Sequence, residues 1–229
     1  MSNTNKFLHV YTKLEYVATK YYNKKYEQGN SPIYDVSHDK QFNSKEVDYC
    51  RNIRNLIIHK YFSMVIEPTN EMVEYLEKII KILEYPKKLK DIYIPFNKLY
   101  TANFDDNISI IMKKMKTKAY TNIPIMENGL VIGVFSENTL FEYIGDNKIA
   151  SIGKNTLVSE FKDYLSIKKH INEKFLFYKY DTTMYEIKQI FESNFQKGKR
   201  IEMVFITQSG KETEKLLGII TPWDLINIK

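Results

Sequence analysis

The stretch that decides the fold lies near the C-terminal end: Leu216-Leu-Gly-Ile-Ile-Thr-Pro-Trp-Asp224. The apolar run predicts a short buried strand, and the Thr-Pro-Trp-Asp sequence that follows predicts the start of a helix. Thr221 and Asp224 are three positions apart, so their hydroxyl and carboxylate share one face of that helix. Gly218 has no Cβ and therefore allows a ligand or a backbone segment to approach closely. The stretch predicts either a helix cap or a polar ligand site.

The same order of elements occurs earlier in the chain. Ile123-Pro-Ile-Met-Glu-Asn-Gly-Leu-Val-Ile-Gly-Val-Phe-Ser136 predicts two strands joined by a tight turn. A helix with apolar residues at helical spacing precedes each strand pair, and Ile108 in the first helix matches Met184 in the second. Gly133 matches Gly218 as well, and this pair is separated by slightly more residues than Ile108 and Met184. The extra residues of the second copy therefore fall in loops, where a repeat tolerates insertions.

These two stretches resemble the CBS domain family over roughly residues 92–229. The resemblance implies a tandem pair of β-α-β-β-α modules, about 92–150 and about 170–229, with two ligand clefts. It also implies an adenine nucleotide as a regulatory ligand, either AMP, ADP, ATP or S-adenosylmethionine, and no required cofactor.

The resemblance and the chemistry of the side chains together give a set of candidate ligand-binding residues. We expect Thr221 and Asp224 to bind the ribose, and we expect Ser136 and Thr139 to take the same positions in the first copy. Because Thr139 has no carboxylate, the first cleft is the weaker candidate for ligand binding. Further candidates are Trp223 as a cleft wall, Phe177 and Tyr178 beside the adenine, and Lys179, Lys199 and Arg200 for phosphate. The alternative is that Thr221 and Asp224 only cap a helix and that the aromatic side chains belong to the core.

Residues 1–86 have a different pattern, which predicts a small helical bundle. Apolar residues recur at helical spacing from Phe7 to Tyr22, from Ser44 to about Met64, and from Asn70 to Leu83. Gly29–Pro32 interrupts the first run. With residues 87–91 as a linker, the predicted fold class is a multidomain α+β protein with a helical N-terminal domain.

The second predicted helix contains Cys50-Arg-Asn-Ile-Arg-Asn-Leu-Ile-Ile-His-Lys-Tyr61. Its periodicity predicts a buried arc of Cys50, Ile53, Leu56 and Ile57 and an opposite polar arc that includes Arg54, Asn55 and His59. Ile58 lies inside the polar arc, which indicates that a second subunit covers this face.

The spacing of Arg54, Asn55 and His59 resembles the motif of the HEPN family, and one toxin branch of that family has a tyrosine where Tyr61 stands. The resemblance implies a metal-independent ribonuclease assembled across a dimer. His59 would be the acid–base group, Arg54 would stabilise the charged phosphorane, and Asn55 would orient the pair. The alternative is that Arg54 and His59 form structural hydrogen bonds at a dimer interface.

The composition limits the kinds of protein and of binding site that this chain can form. The net charge of +6 comes without a long basic run, so it suits a phosphate-bearing small ligand and does not require nucleic acid. The single cysteine, Cys50, excludes a disulfide framework within the chain and is expected in the core. No apolar run reaches the roughly 18–20 residues of a membrane span, no signal peptide is visible, and the four histidines are too scattered for a metal site.

The sequence therefore predicts a cytoplasmic, homodimeric regulatory protein that senses an adenine nucleotide. Two other functions remain open: a nucleotide-gated ribonuclease with RNA as its substrate, and a structural dimerisation protein whose clefts are vestigial.

Overall fold

The chain divides into two units, Met1–Pro86 and Lys87–Lys229, of which the first is helical and the second is mixed α+β. The computed structural model describes residues 2–23, 31–59, 66–146, 152–170, 172–196, 198 and 200–226. Within these ranges, no helix is both long enough and apolar enough to cross a lipid bilayer.

The first unit consists of α1 (Asn3–Tyr22), α2 (Pro32–His38), α3 (Ser44–His59) and α4 (Asn70–Glu84). Hydroxyl groups cap three of these helices, because each accepts a hydrogen bond from a backbone N–H two or three positions further on. The caps are Ser2, Ser31 and Thr69. The core between the helices includes the fully buried side chains of Phe7, Leu14, Ile33, Val36, Leu76 and Ile79.

Helix α3 is less buried than its periodicity predicts. Val47 and Cys50 are buried, but Leu56 is 43% exposed and Ile58 is 49% exposed. Helix α3 packs against α2, which is only seven residues long. A partner of that length covers about two turns of α3, so within the predicted buried arc Cys50 is buried, Ile53 and Ile57 are partly buried, and Leu56 is exposed.

In the second unit, a helix followed by an antiparallel pair of strands and a second helix occurs twice, and we call these two copies the first and the second module. The described elements are β1 (Ile94–Pro95), α5 (Ile108–Lys118), β2 (Asn122–Glu127), β3 (Leu130–Ser136), α6 (Glu137–Asp146), β4 (Glu173–Lys179), α7 (Met184–Gln196), β5 (Arg200–Thr207), β6 (Gly218–Ile220) and α8 (Pro222–Ile226). Strands β2 and β3 are antiparallel, as are β5 and β6, while β4 is parallel to β5. Ala102 pairs in parallel with Ile125 and so takes the place in the first module that β4 has in the second.

The segment that precedes each module packs on the other module. The 3₁₀ turn Leu89–Asp91 bonds to the second module, where Leu89 N–H donates to the carbonyl of Thr182. The 3₁₀ turn Val158–Tyr164 bonds to the first module in the same way, where Val158 N–H donates to the carbonyl of Asp106. Strand β1 also follows this rule, since it pairs with β6 and completes the order β1-β6-β5-β4.

The crossing of each segment onto the other module explains why the repeat has a glycine at two matching positions. A Cβ on Gly218 would overlap the carbonyl oxygen of Ile94, and a Cβ on Gly133 would overlap the carbonyl oxygen of Leu165. Each glycine therefore makes room for the crossing backbone segment. The two modules share an apolar core formed by Met126, Val131, Val134, Phe175, Met203, Phe205, Leu216 and Ile219.

Candidate functional site

A cavity of about 310 Å³ lies between the two modules of the second unit. Its volume is at the lower end of the range of roughly 300–1,000 Å³ for small-molecule sites. A second depression, of about 610 Å³, shares the turn Ala119–Thr121 with it, so a larger ligand has room to extend along the first module. The polar and aromatic side chains that line the cavity include Lys98, Tyr100, Tyr120, Thr121, Asn122, Glu202, Thr221 and Trp223.

Asn122, the first residue of β2, is the most deeply buried polar side chain of this cavity. It is 8% exposed, and its Nδ2 donates to Thr121 Oγ1 (2.9 Å) and to Glu202 Oε2 (3.4 Å). Its Oδ1 is buried and has no hydrogen-bond partner among the described residues. Buried acceptors without a partner are rare in folded proteins, and this one lies inside the protein and not at the surface of the cavity.

Glu202 connects the two modules at this point. Its Oε2 accepts from Asn122 of the first module, and its Oε1 is paired with Nε of Arg200. Arg200 was expected to bind phosphate; its Nε is paired with Glu202, and Arg200 is not among the described residues that line the cavity.

Two tyrosines supply the aromatic surface of the cavity. The rings of Tyr100 and Tyr120 are nearly parallel, at 20°, with centroids 6.4 Å apart. The ammonium of Lys114 lies 5.4 Å from the centre of the Tyr100 ring. Burial raises the pKa of Tyr100, and Asp106 adds to that shift, so the hydroxyl stays protonated at neutral pH. The surface suits a planar ligand that stacks on an aromatic ring.

At the turn between β6 and α8, Asp224 acts as a helix cap. Its Oδ2 accepts from the backbone N–H of Thr221 (2.7 Å) and from Thr221 Oγ1 (2.8 Å). Thr221 and the 74% exposed Trp223 line the cavity, whereas Asp224 is not among the described residues that do. The structure thus places Thr221 and Trp223 at the cavity. Asp224 has the geometry of a helix cap, which was the alternative to its role as a ribose ligand.

The three candidate residues on β4 lie elsewhere. Phe177, Tyr178 and Lys179 line a separate depression of about 520 Å³ and do not line the cavity that contains Thr221. Side chains alternate along a strand, so Phe177 packs on the core shared by the modules and Tyr178 packs on the core of the second module. Lys179 forms a solvent-exposed ion pair with Asp181 at 3.6 Å.

In the first module, the side chains that match Thr221 and Asp224 are buried. Ser136 and Thr139 are fully buried and cap each other across the β3–α6 turn. Ser136 Oγ also donates to Glu173 Oε2 (2.7 Å), and His170 Nδ1 lies 2.9 Å from the same oxygen. A carboxylate from the start of β4 therefore accepts the hydrogen bond of the Ser136 hydroxyl, while Ser136 also borders the depression of about 610 Å³ on the first module.

In the first unit, the three residues of the proposed catalytic motif lie on α3. Arg54 Nη1 donates to Asn55 Oδ1 (3.1 Å), and the guanidinium lies 5.7 Å from the centre of the Tyr11 ring. His59 is the last residue of α3 and is exposed, one turn beyond Asn55. Tyr61 and Lys199 lie outside the described residues.

The interpretation of the sequence missed six polar or aromatic residues of the cavity, namely Lys98, Tyr100, Tyr120, Thr121, Asn122 and Glu202. Tyr120 and Asn122 precede or begin a predicted strand, and Tyr100 lies in a stretch for which no element was predicted, so none of the three has a distinctive spacing. Glu202 lies inside an apolar strand, Ile201–Ile206, and a single acid in such a run is the one signal that could have identified it.

Comparison with known proteins supports part of these predictions. The family model of the CBS domain matches residues 89–146. Similar solved structures include a conserved protein domain of unknown function from Neisseria meningitidis MC58, with 14% identity, a TM-score of 0.44, and coverage of 80% of this chain and 99% of that one. CBSX2 in complex with AMP has 15% identity and a TM-score of 0.44, with coverage of 61% and 92%. The CBS domains of a transcriptional regulator from Streptococcus pneumoniae have 17% identity and a TM-score of 0.42, with coverage of 62% and 98%.

No curated protein sequence matches the chain. The comparisons thus confirm the CBS resemblance for residues 89–146 and a mixed α+β protein with a helical N-terminal region. The HEPN resemblance of the first unit stays a prediction.

Proposed function

We propose that the second unit is a regulatory module that binds an adenine nucleotide in the cavity between its two modules. The observation that carries the proposal is the cavity itself, in which two nearly parallel tyrosine rings stand with the polar side chains of Thr221 and Asn122. A purine has a planar face for the rings and hydrogen-bonding edges for the amide. The match to the CBS family is consistent with this ligand class.

The phosphate of the nucleotide would lie toward Lys98. This lysine is exposed and lines the cavity, whereas Arg200 is paired with Glu202 and Lys179 is paired with Asp181 in another depression. Replacing Lys98 by alanine should therefore weaken binding of AMP by about three- to tenfold, the range for a charge-assisted hydrogen bond that solvent partly screens. Binding of adenosine, which has no phosphate, should be unchanged.

Thermal shift and titration calorimetry with AMP, ADP, ATP and S-adenosylmethionine test the proposal. Lys179→Ala is the matched control, because it removes an exposed lysine that does not line the cavity. If none of these compounds raises the melting temperature at millimolar concentration, nucleotide sensing is rejected and a structural dimerisation protein becomes the better description. If Lys179→Ala weakens binding and Lys98→Ala does not, the ligand lies in the other depression.

Regulation requires that the ligand bind two arrangements of the protein with different affinity. We propose that the helical unit is the responding part and that it forms a homodimer through α3, since Leu56 and Ile58 are large apolar side chains exposed on that helix. Hydrogen exchange of α3 with and without AMP measures the response. An exchange pattern of α3 that is the same in both states would contradict the coupling.

A second candidate function for the first unit is ribonuclease activity. The observation that favours it is the hydrogen bond between Arg54 and Asn55, which pairs the two motif residues on the helix that ends at His59. In this proposal the helical unit cuts RNA and the nucleotide controls the cutting.

A further inference from the structure

Arg54 is held by two groups that carry no charge. Its guanidinium carbon lies 5.7 Å from the centre of the Tyr11 ring on α1, and its Nη1 donates to Oδ1 of Asn55 at 3.1 Å. Among the described residues, no carboxylate lies within ion-pair distance of it, whereas the neighbouring Arg51 is paired with Asp48 at 3.2 Å. The described part of the chain therefore leaves the charge of Arg54 to an anion, such as a phosphodiester.

The ring of Tyr11 is a neutral partner at any working pH. Its side chain is 2% exposed, and burial and the charge of Glu15 raise the pKa of its phenol by more than Arg54 and Arg51 lower it. A phenolate would form an ion pair with Arg54 and cancel its charge, but a protonated phenol attracts the guanidinium through the ring face alone. Glu15 accepts a hydrogen bond from Ser31 at 3.4 Å.

The position of this ring is fixed by the core of the helical unit. Tyr11 lies one turn after the fully buried Phe7, and the two ring centroids are 6.0 Å apart. Arg54, in contrast, is only partly buried on α3. A long side chain loses conformational freedom when it binds a ligand, and a contact that already orders the side chain reduces that loss.

We infer that Tyr11 is a positioning residue, whose buried ring holds the guanidinium of Arg54 where it meets the scissile phosphodiester of RNA. This inference rests on the ribonuclease function proposed for the helical unit. Tyr11 itself does not touch RNA, and it acts through Arg54. Because negative charge at the phosphate grows in the transition state, misplacing the guanidinium should slow the chemical step more than it weakens RNA binding.

Steady-state cleavage of an RNA oligonucleotide by the full chain in EDTA tests the inference. Tyr11→Leu removes the ring and should lower kcat by about 3- to 30-fold, the range spanned by a cation–π contact, with KM changed by less than about threefold. Tyr11→Phe keeps the ring and should restore kcat to within about twofold of the unmodified protein. Phe7→Leu is the matched control, because it removes another buried ring from α1, and it should leave kcat within the same limit.

Two further measurements separate positioning from support of the fold. Fluorinated phenylalanines incorporated at position 11 keep the shape of the ring and weaken its negative face, so kcat should fall stepwise as fluorine atoms are added. In an Arg54→Ala background, Tyr11→Leu should cost no further activity, because its effect passes through the guanidinium. A residue that only supported the fold would lower kcat by the same factor in both backgrounds.

The outcomes distinguish the role of Tyr11 from ribonuclease activity itself. If the unmodified chain cuts RNA and the fluorinated series keeps its kcat, or if Phe7→Leu slows cleavage as much as Tyr11→Leu does, the role of Tyr11 is overturned while the activity stands. If the unmodified chain cuts no RNA, both the ribonuclease function and the inference fail. Circular dichroism checks that each variant is folded, and if Tyr11→Leu is not, the fluorinated series still decides.

Discussion

Among single residues, Glu173 has consequences beyond its own contacts. It is buried at the start of β4, and its carboxylate accepts from Ser136 of the first module and from His170. The second module has its own acid at the matching turn, Asp224, whereas the first has Thr139. Glu173 thus supplies, from the second module, the carboxylate that the first module lacks. Through the same contacts, Glu173 also links the two modules.

Glu173 also gives a prediction about acid stability. Burial raises its pKa, but hydrogen bonds from His170 and Ser136, together with the charges of His170 and Arg200, outweigh burial, so the pKa lies below its ordinary value. A carboxylate with a lowered pKa stabilises the fold above the unfolded-state pKa of about 4.3, and that contribution is lost as the pH falls through the lower folded-state value. The free energy of unfolding should therefore decline below about pH 5, and Glu173→Gln should remove part of that decline.

Urea denaturation at a series of pH values measures this effect. Glu212→Gln serves as the control, because Glu212 is exposed. If both variants lose stability with the same pH dependence as the unmodified chain, the hydrogen bonds of Glu173 do not contribute in the way described.

The site residues that the sequence predicted differ in one physical respect from those that it did not predict. Thr221 was identified because its partner Asp224 is three positions away, where helix geometry alone brings them together. The contact of Ser136 with Glu173 and that of Asn122 with Glu202 each join the two modules across many residues of chain. Pairs of this kind depend on how two sheets pack, and no local spacing records that arrangement.

At the scale of elements, the β6–α8 turn allows the capping role of Asp224 to be measured separately from its role in ligand binding. The cap at Thr221 and Asp224 has a close counterpart at the start of α7, where Glu186 Oε2 accepts from the N–H (2.8 Å) and the hydroxyl (2.9 Å) of Thr183. Asp224→Ala and Glu186→Ala should each lower the free energy of unfolding by about 1 kcal/mol, a common cost of losing a cap. Only Asp224→Ala should also weaken AMP binding, because Thr221 lines the cavity and loses the acceptor that holds its hydroxyl.

Calorimetry and chemical denaturation of both variants measure the two effects independently. An AMP dissociation constant that is unchanged in Asp224→Ala would leave Asp224 as a cap and remove it from the ligand site.

Helix α3 carries the prediction on catalysis. If His59 is an acid–base group, the purified protein should cut RNA in the presence of EDTA, and His59→Ala should be slower by about 10²- to 10⁴-fold. His38→Ala is the control, because it removes another exposed histidine at the end of a helix of the same unit. Equal cleavage by the His59 variant and the unmodified protein, or cleavage by neither, would reject the catalytic role.

Sequence periodicity anticipated α1, α3 and α4 but not α2, and the reason is length. Seven residues give two turns, too few for a recognisable apolar repeat. Ser31 and Pro32 were interpreted as part of a break, although a serine cap followed by proline in the first turn is also how a helix begins. The crossing of the Leu89–Asp91 turn to the second module was equally hidden, because its backbone hydrogen bonds carry no side-chain signal.

For the whole molecule, the repeat is preserved in the backbone and broken at the two candidate ligand sites. The carbonyls of Phe104 and Asp106 accept hydrogen bonds from one crossing segment, and those of Tyr180 and Thr182, at the same spacing, accept from the other. The side chains at the two strand–helix turns do not follow this symmetry. Thr221 is partly exposed at the cavity, whereas the hydroxyl of Ser136 is bonded to Glu173 although Ser136 borders the second depression.

This asymmetry predicts one nucleotide for each chain. Calorimetric titration should give a stoichiometry near one, and Asn122→Leu should weaken that single binding event without revealing a second one. Glu173→Ala should not create a second site of comparable affinity, because Thr139 has no carboxylate to bind a ribose and His170 remains in the space. Two equivalent binding events in the unmodified protein would mean that Glu173 leaves its position when ligand arrives, and the hydrogen bond of Ser136 with Glu173 would then be one state of a cleft that opens.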